Sequence, residues 1–415
     1  MPDALNSGSR ELLCPEARVL LAAIQPDLDL EDVTAALQDP SLDWDALFAL
    51  AQREKAIGAL AELVERAAEG SVPPAARARL AGLVRAMQFR MLRLQQLLIG
   101  ALDTLAEHGI EVVLLKGAGV AATVYGSFAA RPMYDLDLLV RPEQAEAAWN
   151  ALRAARWRCD PARYPQSFYE THRHFPPLDD PAGTGLVLEL HSAPADSAIH
   201  LPAEVVWREA RAVELHGRRV FVPRPELQVL HLAIHFAWSH GMAKASWRTF
   251  RDLHQILTRT PPDWDVFIEQ ATAARAGTAC YWTFRLARSL AGVAAPPDVM
   301  RRLRPPRPEG VLRILERHYV TSLFPTNPAS CPSVRITRLL WSAGMAPRWS
   351  GHGRARPWHQ EEVWAEAVGA DRPLLLERVR GQVARSARWA RYLAALVNGR
   401  PPAARRLPMP HRSDA

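Results

Sequence analysis

The sequence predicts an α+β fold, a small mixed β-sheet flanked by N-terminal and C-terminal helical regions. Three observations predict it. Apolar residues recur at spacings of three and four through residues 10–110, as on one face of a helix. Three short apolar and β-branched runs at 111–115, 135–140 and 186–191 alternate with helical patterns, which marks an α/β unit of modest size. Helical patterns then return from about residue 200. A chain of 415 residues can bury at least one sizeable core. The expected organisation is an N-terminal helical region at 1–109, the α/β core at 110–200, a C-terminal helical domain at 201–398 and a disordered basic tail at 399–415.

The elements follow in order. "LDWDALFALAQREKAIGALAELVERAA" and "ARARLAGLVRAMQFRMLRLQQLLIGALDTLAEHG" read as amphipathic helices, the second closed by Gly109 as a C-cap. "IEVVLLK" reads as a strand, "GAGVAATVYGSF" as a helix starting on Gly117, and "YDLDLLV" as the next strand. "PEQAEAAWNALRAARW" opens with proline and reads as a helix. A weakly patterned stretch precedes "TGLVLELHS", a strand opened by glycine. "PELQVLHLAIHFAWSHG" and "SWRTFRDLHQIL" are the clearest later helices, and "RPPRPEG" and "FPTNPASCP" read as loops. "RPLLLERVRGQVARSARWARYLAALV" is a last amphipathic helix, expected to pack its Leu374, Leu375, Val379 and Val383 face on the helical domain.

Composition narrows the classes. No run approaches the ~18 uninterrupted apolar residues of a membrane span. The N-terminus has acidic residues near its start and only a short apolar run, unlike a secretory signal. Cys14, Cys159, Cys280 and Cys331 are far apart without a CxxC pair, so neither a disulfide framework nor a zinc site is expected. The protein is expected to be cytoplasmic. The net charge of +7 hints at nucleic acid, but ten arginines against Asp371, Glu377 and Asp414 put all of it in residues 371–415. A nucleic-acid groove would also need a basic face on the folded domain, so a solvated basic terminus is favoured. Of 51 basic residues only Lys55, Lys116 and Lys244 are lysines, which makes each lysine a minority choice.

Asp135 and Asp137 interrupt an otherwise buried strand. Side chains at i and i+2 share a face, so the two carboxylates project together while Leu136 and Leu138 point the other way. At about 5 Å they repel by ~3 kcal/mol at an effective dielectric near ~20. A divalent cation reverses that sign, and hard oxygen ligands at this spacing suit Mg2+ or Mn2+ together with substrate phosphates. The alternative is a strand that ends early, with both aspartates solvated or capping a turn. Upstream, the Lys116–Gly117 turn between a strand and a helix favours an anion. Downstream, Glu189 lies in a strand with His191 on the same face. Three carboxylates beside a phosphate-binding turn meet the needs of two-metal nucleotidyl transfer.

The combination of "LLKGAGVAATVYGSFAARPMYDLDLLV", "LVLELHSAP" and "PELQVLHLAIHFAWSHG" with "WRTFRDLHQIL" resembles the poorly characterised nucleotidyltransferase family of the DNA-polymerase-β-like superfamily. The resemblance covers roughly residues 90–260, with Lys116–Gly117 standing where the superfamily has its glycine pair. It implies a nucleotidyltransferase fold and transfer of a nucleoside monophosphate from an NTP to an acceptor hydroxyl or other nucleophile. Asp135 and Asp137 would hold the metal on the triphosphate, and together with Glu189 a second metal. Gly117 would offer backbone N–H groups to phosphate and Lys116 would neutralise leaving-group charge. Arg131 would pair with Asp135 or phosphate, unless it is an ordinary loop arginine. A small molecule, peptide, protein or RNA end is compatible as acceptor. A catalytically inactive nucleotide-binding or regulatory module on the same fold is the alternative. It is disfavoured because a pure binder has little reason to keep mutually repelling acids.

Other groups admit two readings. His231 and His235 have a zinc-compatible spacing but no HExxH pattern or evident third ligand, so a helix-core role is favoured. His172 and His174 read as a polar loop that could touch substrate, and Trp238 and Trp247 as packing residues. Arg251–Asp252 is either an intrahelical polar patch or a wall of the nucleotide cleft.

Overall fold

The computed structural model describes residues 9, 11–24, 29–160, 173–196, 198–324, 333–345 and 382–399. Among the described N-terminal residues lie the short helices α1 (Pro15–Ala22), α2 (Leu30–Leu37), α3 (Trp44–Glu54) and α4 (Ile57–Arg66). The apolar pattern through α3 and α4 is continuous in sequence, yet the helix breaks between them. Lys55 adopts a left-handed backbone with φ of 60° and caps α3 through its N–H. The long helix α5 (Pro74–Glu107) starts on proline and ends before Gly109, whose φ is +68°.

The α/β unit follows as β1 (Val113–Leu114), α6 (Lys116–Val120, continued by a π-turn over Ala121–Tyr125), β2 (Asp135–Leu139), α7 (Ala145–Ala154), β3 (Arg158–Cys159), β4 (Leu178–Asp179) and β5 (Val187–His191). The three expected strands lie side by side in the order β5-β2-β1, with β2 and β5 parallel and β1 antiparallel to β2. The sheet does not stop at residue 200. After α8 (Ala203–Arg208) come β6 (Ala210–Leu215) and β7 (Arg218–Pro223), and β7 adds to β1 in parallel. The result is a seven-stranded mixed sheet, β3-β4-β5-β2-β1-β7-β6. The β6–β7 hairpin turns on His216–Gly217, both with positive φ as a two-residue loop of matching twist requires. Its apolar run, Val220–Phe221–Val222, is only three residues long, and β6 intersperses Arg211 and Glu214, so the pattern of helices returning from residue 200 did not reveal it.

The later helices are α9 (Pro225–Ala233, continued by a π-turn over Ile234–Ser239), α10 (Ser246–Arg259), α11 (Trp264–Ala273), α12 (Gly277–Ala291), α13 (Pro297–Leu303), α14 (Glu309–Leu323), α15 (Val334–Met345) and α16 (Gln382–Asn398). Among the described residues no helix is long and apolar enough to cross a membrane. Leu374, Leu375 and Val379 of the expected terminal face, the side chain of Val383, the basic tail beyond Gly399, and Cys331 and His172 lie outside the described residues. The described part of α16 packs through Tyr392, whose hydroxyl meets His318 Nδ1 at 2.9 Å and Thr321 at 2.8 Å.

Two cores sandwich the sheet. On one face Leu136, Leu138 and Val140 of the β2 region pack with Leu94, Leu98 and Leu105 of α5 and Leu152 of α7. On the other face Val113, Leu115 and Leu139 join a larger core built from both the N-terminal helices and α9 to α15. Asp135 and Asp137 share the face of Leu139 by the two-residue period. They therefore point toward the seam where N-terminal and C-terminal helices meet.

Two outcomes follow. Gly119 packs α6 on β1, and a Cβ there would lie 2.5 Å from the Leu114 carbonyl oxygen. Gly119→Ala should cost ~1–3 kcal/mol by urea unfolding, because that backbone atom cannot yield. Burial holds His318 down at about 3. Its folded value is depressed, so only the unfolded chain takes up its proton as pH falls below ~6.5. The stability from the neutral ring is complete above ~6.5 and lost progressively toward 3. Urea midpoints should therefore fall from pH 7.5 to 5, and His318→Phe should reduce that slope by up to about one proton, ~1.4 kcal/mol per pH unit.

Candidate active site

Because β2 and β5 run parallel and in register, Asp137 lies opposite Glu189, Asp135 opposite Val187 and Leu139 opposite His191. The carboxylates of Asp137 and Glu189 project side by side. His191 Nε2 approaches Asp137 Oδ1 at 3.0 Å and Glu189 Oε2 at 3.5 Å. One donor atom from each of Asp137, Glu189 and His191 lies within 4.8 Å of the others. Asp135 stands one pleat away, outside that compact set, and is the most open of the acids, its side chain 45% exposed against 24% for Glu189 and 4% for Asp137. The compact set is thus two carboxylates and an imidazole, with the third expected carboxylate beside it.

Two lysines answer the acids. Lys116 Nζ bonds Asp137 and lies 3.8 Å from Glu189 Oε2. Lys55 Nζ lies 3.5 Å from Asp135 Oδ1 and 4.6 Å above the Tyr134 ring. Both occupy left-handed backbone corners, with φ of 42° at Lys116 and 60° at Lys55. Such corners aim a side chain that regular structure would direct elsewhere. Burial alone would raise Asp135 and Asp137, but Lys55 beside the first and Lys116 beside the second hold each at about 2. Burial likewise works against ionised Glu189, which His174, the His191 hydrogen bond and Lys116 hold well below its usual range. Burial, with Arg248 nearby, pushes Lys55 down to about 8.

Histidines complete the wall. His174 forms a bridge with His191, meets its ring edge-on at 5.3 Å and places Nε2 3.9 Å from Glu189. It is buried rather than part of an open polar loop, and burial pushes it down to about 4. Burial, with Lys116 nearby, pushes His231 down to about 3. His235 packs against the His240 ring at 4.2 Å. Among the described residues neither His231 nor His235 joins a set of three metal-ligating groups, in keeping with a helix-core role.

Arg131 is not aimed at Asp135. It is buried, with Nη2 2.6 Å from Asp252 Oδ2 and Nε 3.2 Å from both carboxylate oxygens, and Tyr125 donates its hydroxyl to Asp252 at 2.9 Å. Asp252 therefore clamps the loop before β2 to α10. Arg251 bonds the carbonyls of Ala23 and Ile24 at 3.0 and 2.9 Å. The pair ties α10 to two other segments, and both residues also line a small pocket with Lys55 and Arg131. Gly117 serves the same clamp, because a Cβ there would overlap the Arg131 guanidinium. The missing side chain makes room for an arginine, a different need from the approach of phosphate.

The donor set fits a divalent cation. Asp137, Glu189 and His191 converge, Asp135 lies open beside them, and the buried Nδ1 of His191 has no hydrogen-bond partner among the described residues. Carboxylate oxygens suit Mg2+ or Mn2+, and the imidazole tilts the set toward Mn2+. An entering cation would share these carboxylates with the Lys116 ammonium.

Residues 40–292, more than half of the chain, match the model of a family described as uncharacterised nucleotidyltransferase. The chain belongs to this nucleotidyltransferase family. No curated protein and no solved structure matches it. The matched span contains Lys55, Lys116, Arg131, Asp135, Asp137, Glu189, His191 and Asp252 alike.

The Arg131–Asp252 pair yields a test of its structural role. Removing one partner strands a buried charge, so Arg131→Met or Asp252→Asn should each destabilise by ~3–5 kcal/mol in urea unfolding. The double variant should cost less than the two single losses added together.

Proposed function

We propose that the protein transfers a nucleoside monophosphate from an NTP to an acceptor hydroxyl or other nucleophile. Asp135, Asp137 and Glu189 would hold Mg2+ or Mn2+ for this reaction. The observation that carries the reading is the in-register pair Asp137 and Glu189 with Asp135 on the same face, three acids kept ionised at the seam between two helical regions. Membership of a nucleotidyltransferase family supports the same chemistry. Once bound, a divalent cation supplies charge neutralisation and alignment of the phosphates.

The chain's own groups have distinct parts in this reading. Asp137 and Glu189 provide fixed negative charge, and His191 orients Asp137. Lys116 limits acid repulsion before substrate arrives and can turn its charge to the phosphates. The acceptor's lone pair attacks the α-phosphorus, and the bond to the bridging oxygen breaks. Pyrophosphate leaves with that electron pair, and the acceptor's proton passes to a carboxylate oxygen of the cluster.

One observation favours a second reading, a nucleotide-binding module without catalysis. The Lys116 ammonium already neutralises Asp137 and Glu189. In that reading Lys116 permanently occupies the cation's place, so Mn2+ binds Lys116→Ala but not the parent. Calorimetry with Mn2+ on both proteins separates the two.

Under the transfer reading, Asp135→Asn and Asp137→Asn should each weaken Mn2+-dependent ATP binding about tenfold or more, with unchanged circular dichroism. Incubating the parent with each of four labelled NTPs, Mg2+ and cell extract should label an acceptor, and Asp137→Asn should label none. Equal ATP affinity in both asparagine variants would refute the metal assignment.

A further inference from the structure

Beside the carboxylates a cavity of about 370 Å³ opens between the α3–α4 corner, the middle of α5 and the start of β2. Three cations line it, Lys55, Arg90 and Arg93, together with apolar groups such as Leu83, Met87 and Leu186. Among the described residues no acidic residue lines it. Arg90 is held in place, its guanidinium 4.2 Å from the Tyr134 ring and bonded to the Gly185 carbonyl at 3.1 Å, while its buried Nε has no partner. Arg93 reaches Gln96 at 3.5 Å. Among the described residues neither arginine pairs with a carboxylate. Lys55 joins the cavity to Asp135, since it lines the one and contacts the other. Phe89 stands at the lip, 75% exposed.

Three cations face this wall with no acid lining it among the described residues, and the buried Arg90 Nε lacks a partner, which costs free energy. An anion supplies what the wall lacks. We infer that this cavity receives the acceptor, a small molecule with an apolar body and an anionic group. Its anionic group sits on Arg90 and Arg93, and its nucleophile lies at the Lys55 end next to Asp135. The inference rests on the proposed nucleotidyl transfer, and the reacting bonds are those written above. The cavity suits a nucleobase poorly. The Tyr134 ring is covered by Lys55 and Arg90, and among the described residues Gln52 and Thr184 are the cavity's only neutral side chains with amide or non-aromatic hydroxyl groups.

Octanoate, 1-octanol and octylammonium are probes of one length and different charge, readable by calorimetry. Octanoate should bind, with octanol and octylammonium at least about tenfold weaker, and Arg90→Ala and Arg93→Ala should each weaken octanoate about tenfold or more. Arg90 carries the stack on Tyr134 and the bond to Gly185, so the Arg93 variant keeps the test open if Arg90→Ala misfolds. Ala86→Trp, which fills the cavity, should abolish octanoate binding and leave ATP affinity unchanged. Saturating ATP with Mg2+ should leave octanoate affinity unchanged. Octanoate should inhibit labelled transfer to extract acceptors without altering the KM for the NTP. Equal binding of all three probes, or displacement of octanoate by ATP, would overturn the inference. So would an Arg93→Ala enzyme that transfers as well as the parent. If the parent binds no NTP, the transfer reading fails whatever octanoate does; if NTP is turned over but octanoate does not bind, only this inference fails.

Discussion

The rest of the site depends on one balance of charge. Asp137 and Glu189 meet across two parallel strands, with Asp135 one pleat away. Left alone, acids this close would repel by a few kcal/mol per pair. Lys116 and Lys55 absorb that repulsion from two unrelated parts of the chain, one at the β1–α6 corner and the other at the α3–α4 break. Each sits on left-handed backbone where a non-glycine residue is uncommon. The local cost of those corners is offset by the ion pairs they make possible. The break in the N-terminal helices is therefore part of the site rather than an irregularity beside it.

A second, fully buried pair holds the frame. Arg131 and Asp252 fix the loop before β2 against α10, and Tyr125 closes the same group. Also from α10, Arg251 and Trp247 bond carbonyls at Leu20, Ala23 and Ile24. Strand, C-terminal helices and N-terminal helices are thus tied through one element. This arrangement explains why the acids open at a seam. The face of the sheet opposite α5 is covered by helices from both ends of the chain, and the polar ties run where those helices meet.

Lys116 and the three cavity cations, Lys55, Arg90 and Arg93, stand around three acids that are all ionised. Under the proposed transfer, an anionic triphosphate and an anionic acceptor would approach such a site without facing its carboxylates unshielded. His174, kept neutral by burial next to Glu189, adds polarity without charge. The imidazole of His191 joins the acids as a potential ligand, which distinguishes this set from an all-oxygen triad.

Part of this was legible in the chain. The two-residue period placed Asp135 with Asp137, and the β-type runs placed Glu189 and His191 on a neighbouring strand. These are local regularities, and a strand's alternation survives any tertiary context that buries one face. The scarcity of lysine drew attention to Lys116; applied equally, it would have singled out Lys55. The β6–β7 hairpin was hidden because its apolar run, Val220–Val222, is only three residues long, and His174 because a lone bridge leaves no periodic trace. Arg131 was the clearest divergence. The sequence offered Asp135 four residues away, yet the fold supplied Asp252 from a helix 121 residues later. Sequence by itself determined which residues share a strand face, because backbone geometry fixes that within a few residues. Only the tertiary structure decided which cation meets which acid, because ion pairing depends on distances between segments that local pattern does not encode.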